Sequence, residues 1–201
     1  MRNSFWKIAL LLVLCIENTV AQNMESDTIA LKEVVIKKTL NKDIRLKTKG
    51  KGNEFVGFYV NQQFVSLIRN VPAGQINTLE LFFNPNMLEK GEVVVLKLLI
   101  FDRNDQGKPG NQLINQVLKF SITDKLKRKI ILDLKGLDLN IEGDVFFGFE
   151  TINLPRYAFV AEFKENDNAI SFAKNAGQEW FKPVREKPIE LKMNLNIIPK
   201  I

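Results

Sequence analysis

Two glutamates, Glu150 and Glu162, stand near the ends of two aromatic-rich runs. A pair of carboxylates at a suitable separation hydrolyses a glycoside, one as acid and the other as base or nucleophile. The same residues on the wet side of a strand need no function. A second group is Asp102, Asn104, Asp105 and Gly107, in the pattern D-x-N-D-x-G. Oxygen side chains this close around a glycine can ligate Ca²⁺. Asp, Asn and Gly also simply make turns. The helix-loop-helix calcium pattern fails here, with Gln106 at its fifth position and Leu113 where a bidentate Glu belongs. The third group is aromatic: Tyr59, Tyr157 and Trp180, with Phe181 beside the last. An aromatic at a strand end stacks on a sugar or a peptide, or plugs the end of the core.

The residues that are missing narrow the chemistry further. There is no histidine, and the only cysteine is Cys15. Ser-His-Asp and Cys-His catalysis are therefore excluded, and so are zinc sites built from Cys and His. The expectation is a protein that is not an enzyme and needs no cofactor. A carbohydrate-active enzyme using acids alone is the alternative.

The formal net charge is +6, spread along the chain among acids. Lys47-Thr48-Lys49-Gly50-Lys51 and Lys125-Leu126-Lys127-Arg128-Lys129 are its densest basic stretches. Neither belongs to a nucleic-acid-binding motif, and no nucleic-acid partner is expected. Solvated surface is the plain reading, with weak attraction to anionic lipid or glycolipid.

Three regions position these residues. Residues 1–21 read as a signal peptide: Arg2 and Lys7 start it, Ile8 to Ile16 is apolar, and Thr19-Val20-Ala21 offers small residues for cleavage. The apolar run is short for a membrane span, and no later uncharged run reaches that length. Lipidation at Cys15 is the alternative, although Leu14 stands where a small residue is usual. Residues 22–53 read as a flexible segment with a short β-like run, Thr28 to Lys38, and a Lys- and Gly-rich linker, Asn41 to Asn53. Residues 54–201 then form the packed domain. Without cysteines its stability must come from a hydrophobic core, which a chain of this size can bury.

The domain reads as all-β. Glu92 to Asp102 is apolar on both alternating faces and is expected to be the central strand, covered on both sides. Phe55 to Val60 and Phe64 to Arg69 read as a hairpin or kinked pair, Val71-Pro72-Ala73-Gly74 as a turn, and Ile76 to Phe83 as a strand. Gln112 to Phe120, Lys129 to Leu134, Asp144 to Ile152, Tyr157 to Phe163 and Ala169 to Ala173 follow. In the last run, Ile189, Leu191, Met193, Leu195 and Ile197 alternate with Glu190, Lys192, Asn194 and Asn196, which predicts one strand with one wet face. No stretch has helical period and caps. Nine or ten strands predict an antiparallel β-sandwich or jelly roll.

Leu31 to Lys38, LKEVVIKK, resembles the sequence that follows carboxypeptidase-regulatory-like domains in exported Gram-negative envelope proteins, including TonB-dependent receptors. From Gly57 to Ile152 the order LELFFN, LKLLIFDRNDQGKPGNQLI, LDLKGLDLNIEGDVFFGFE resembles a secreted jelly-roll domain of surface proteins. In that pattern a strand ending in Asp runs into a G-x-P-G-x-x-L loop, here Gly107 to Leu113, and a glycine-containing aromatic strand follows, here Phe146 to Glu150. The resemblance implies fold and compartment, the periplasm or cell surface, and carries over no functional residues. The function expected is an exported module that binds or scaffolds an envelope protein or glycan. Service as an accessory partner of a TonB-dependent transporter is a further alternative.

Overall fold

A computed structural model of the chain describes residues 42–84, 88–126, 128–155 and 159–200, with the backbone alone at 159 and 160. Twelve strands run through them: β1 (Ile44–Lys47), β2 (Lys51–Phe58), β3 (Gln63–Phe82), β4 (Val93–Arg103), β5 (Pro109–Gln112) and β6 (Lys119–Thr123) come first. Then follow β7 (Lys129–Asp133), β8 (Asn140–Asn153), β9 (Phe159–Glu165), β10 (Ser171–Lys174), β11 (Ile189–Leu191) and β12 (Met193–Pro199). The one helical element among the described residues is a 3-10 turn, Lys135–Leu137. All strand pairs are antiparallel, in a nine-stranded sheet of backbone order β1-β12-β3-β8-β4-β5 and a three-stranded sheet, β11-β9-β2. The fold is an antiparallel β-sandwich.

The hub is β3 rather than the apolar run of β4. Along one side β3 pairs with β8 from Gln63 to Gln75 and with β7 from Thr78 to Phe82. Along the other it pairs with β10 and then β12. The expected turn at Val71-Pro72-Ala73-Gly74 is absorbed into this single strand. Register shifts fall between Ile68 and Val71 and between Val71 and Gly74. A bulge is where a ladder tolerates proline, and it bends the strand without ending it. The expected hairpin is also different: β2 pairs with β9 in the small sheet, while β3 belongs to the large one. Asn61, in the left-handed region at φ 60°, turns the corner between the sheets.

Between the sheets lies one core. Phe58 and Phe163 of the small sheet interlock with Phe64 and Phe149 of the large one, at ring-centre distances of 4.9 to 5.8 Å. Edge-on pairs at such distances add to plain burial. Val94, Leu96, Leu98 and Ile100 of β4 all face this core. The opposite face of β4 is covered only in part: Leu99 is buried in a second cluster, while Val93 is 40 % exposed.

The last alternating run is divided between the sheets. Ile189 to Leu191 forms β11 beside β9, and the chain crosses at Lys192 into β12 beside β3. The apolar set is buried as its period predicts. The polar set is not uniformly wet: Glu190 is buried and accepts from the backbone N–H of Lys49 and Gly50. Buried hydroxyls join the sheets at this crossing, where Ser66 Oγ accepts from Leu191 N, meets Ser171 Oγ at 2.8 Å, and Ser171 donates to Ile189 O. Finally, the stretch read as a linker carries β1 and the start of β2, and all the strands lie within the unit Leu40–Ile201.

Candidate functional site

The two glutamates proposed for acid chemistry are on different sheets and held by different cations. Glu150 of β8 faces Lys97 across the β4–β8 ladder, and Lys97 Nζ lies 3.0 Å from its Oε2. Glu162 of β9 is 1 % exposed. Arg128 Nε donates to its Oε1 at 2.5 Å and Arg128 Nη2 to its Oε2 at 3.2 Å. Lys192 Nζ donates to the same Oε2 at 2.8 Å while lying 4.7 Å from the centre of the Phe82 ring. Burial by itself would raise the Glu162 pKa, but the hydrogen bonds and charges of Arg128 and Lys192 outweigh it and hold the carboxyl below its ordinary range. A carboxylate so held is ionised at neutral pH and has no proton to give a leaving group.

In the Asp102 to Gly107 loop, Asp102 and Asn104 spend their side-chain oxygens on nearby donors of the protein. Asp102 Oδ1 accepts from Asn111 N at 2.6 Å and Oδ2 from Asn111 Nδ2 at 3.1 Å. Asn104 Oδ1 accepts from the backbone N–H of Gln106 and Lys108. Gly110 passes so near that a Cβ there would lie 2.2 Å from Asp102 Oδ1. Asp105 is exposed. Among the described residues no three of His, Cys, Asp or Glu gather as metal ligands would.

The aromatics diverge. Tyr59 is 65 % exposed on the corner after β2. That corner is fixed from below by buried Thr151, whose hydroxyl donates to Tyr59 O and accepts from Gln62 N at 3.0 Å. Tyr157 lies outside the described residues. Trp180 packs edge-on against Phe101 at 5.5 Å, with Lys174 Nζ 5.7 Å from its ring centre. It closes the second apolar cluster of Val65, Leu67, Leu99, Phe146 and Phe172, the plugging role open to an aromatic at a strand end. Phe181 beside it exchanges both backbone hydrogen bonds with Ala173.

Sequence reasoning passed over Glu80. It is buried on β3, where its carboxylate accepts from Arg45 Nη2 at 2.9 Å, Lys129 Nζ at 3.3 Å and Asn194 Nδ2 at 2.5 Å. Desolvation opposes its ionisation, and these three donors override it, so its pKa too is lowered. The partners come from β1, β7 and β12, far apart in the chain. Only Asn194 and Asn196, in the polar set of the last run, signalled the place.

Compared with known proteins, the chain matches no family model and no curated sequence.

Proposed function

We propose that the protein is an exported, non-catalytic β-sandwich module that binds or scaffolds at the bacterial cell envelope. The observation that carries the non-catalytic part is the bonding of the candidate acids. Glu162 is buried between Arg128 and Lys192, and Glu150 of the other sheet is paired with Lys97, so each carboxylate is engaged by a cation. Export rests on the signal-like pattern of residues 1–21, which lie outside the described residues. The envelope rests on the resemblance carried by Leu31 to Lys38 and by Gly57 to Ile152.

Fractionation of the producing cell with intact-mass analysis tests this reading. The expected product begins at Gln22 and is found in the periplasm or at the surface. Unprocessed protein in the cytoplasm would refute export, and a diacylated Cys15 would replace a soluble module by an anchored one. Hydrolysis of a glycan panel that disappears in Glu162→Gln, with the melting temperature retained, would overturn the non-catalytic reading.

A further inference from the structure

One residue from each basic stretch, Lys47 of the first and Lys129 of the second, comes to the same sheet face. The registers of β1, β12, β3 and β7 align Lys47 beside Asn194, Asn194 beside Glu80, and Glu80 beside Ile131. The next row is Arg45, Asn196, Thr78 and Asp133. On the other side Phe82 stands beside Lys129, under Lys192. The residues between these rows, Leu46, Leu195, Leu79 and Leu132, pack on the core, so the rows point outward.

Among the described residues Arg45, Lys47 and Lys129 stand on this face, and Arg128 and Lys192 lie at its border with β9. Glu80 on this face and Glu162 of the adjoining β9 are buried at 7 % and 1 % exposure, and Asp133 lies at the rim. An approaching molecule therefore meets mainly the cations. The buried carboxylates act as positioning residues. Glu80 holds Arg45 and Lys129, and Glu162 holds Arg128 and Lys192, each by hydrogen bonds that leave further donors free. Lys47 has no partner among the described residues. Strands ~4.8 Å apart set the β1 and β7 margins roughly 14 Å from each other. Between them lie Asn194, Asn196 and Thr78, with the exposed Ile131 on β7 itself. Cations at the margins, amides and a hydroxyl in the middle, and an apolar side chain beside them complement a sugar chain that carries carboxylates. A single-stranded nucleic acid would stack its bases on bare aromatic faces, and the ring in these rows, Phe82, lies under Lys192.

We propose that the outward face of β1, β12, β3 and β7 binds an acidic polysaccharide, with Arg45, Lys47, Arg128 and Lys129 taking its carboxylate groups. The proposal deepens the envelope-binding reading and rests on it for the source of the glycan.

The test uses the processed full-length protein in titration calorimetry against polygalacturonate, with dextran as neutral glycan and a single-stranded oligonucleotide as competing polyanion. Binding to polygalacturonate that weakens with salt, and no binding to dextran, is expected. Lys47→Glu should lower affinity severalfold, and Lys47→Glu with Lys129→Glu at least tenfold. Lys119→Glu on β6, with the same charge change off this face, should leave it unaltered. Because Lys129 is bonded to Glu80 and its loss could disturb the fold, Lys47→Glu alone, with an unchanged melting temperature, keeps the test decisive. The proposal fails if the wild-type protein does not bind polygalacturonate, if Lys119→Glu weakens binding as much as Lys47→Glu, or if the oligonucleotide binds more tightly. A cytoplasmic, unprocessed protein would instead refute the envelope reading and leave the isotherms standing.

Discussion

The two halves of β3 present opposite surfaces to the outside of the same sheet. In the first half, Val65 and Leu67 point outward and are nonetheless buried, because Phe172, Phe146 and Leu99 flank them and Trp180 packs over the cluster. In the second half, Thr78 and Glu80 point outward among Arg45, Asn194, Asn196 and Lys129. One half borrows a cover from the strap after β10, and the other satisfies its polar groups side by side. A strand's outward face is thus made apolar or charged by what its neighbours can place over it. Gly148 shows how tight the covered half is, since a Cβ there would lie 1.8 Å from the Phe64 carbonyl oxygen.

The largest expected effect breaks the core beneath both halves. Leu98→Ala should cost about 2–5 kcal/mol in denaturant unfolding through lost burial and a cavity. Leu99→Ala, on the covered outer face, should fall at the lower end of that range, because a small cluster under one strap collapses more readily. Equal losses would show that the second cluster is as rigid as the core.

Next comes the buried charge. Glu162→Gln should cost about 1–3 kcal/mol, below the usual figure for a broken buried pair because Arg128 reaches solvent. The sign with pH follows from the lowered pKa. The contribution of Glu162 is present above its ordinary value of 4.5 and is lost as pH falls through the lower folded value. Stability curves of wild type and Glu162→Gln should therefore differ at neutral pH and converge as pH falls below 4.5. Parallel curves over that range would contradict the ion-pair assignment.

Removing the strap's ring probes the covered half alone. Trp180→Ala should cost about 1–2 kcal/mol, less than a fully buried ring, with faster hydrogen exchange at Leu67 and Phe172 and none at Leu79. The smallest effect belongs to the open half. Lys47→Ala should change stability by under about 0.5 kcal/mol, since it removes no bond among the described residues. Millimolar Ca²⁺ should likewise leave the melting temperature unchanged, because Asp102 and Asn104 already bond their own loop. A calcium-dependent rise lost in Asp102→Ala would reverse that assignment.

Several features were legible in the chain itself, because they depend on local alternation. Period-two patterns marked the antiparallel strands, and Ile189, Leu191, Met193, Leu195 and Ile197 are buried as they predicted. The missing histidine narrowed the chemistry before any geometry was known. Other features were settled by partners distant in sequence. Val71 to Gly74 has the composition of a turn, yet β8 pairs across it and makes it bulges. Lys192 reads as a solvated residue, but the chain changes sheets there and places it on buried Glu162. Glu80 looks like an ordinary surface acid until β1, β7 and β12 surround it. The physical reason is range: side-chain alternation is set by the backbone of one strand, whereas the burial of a charge is set by whichever strands the topology brings beside it.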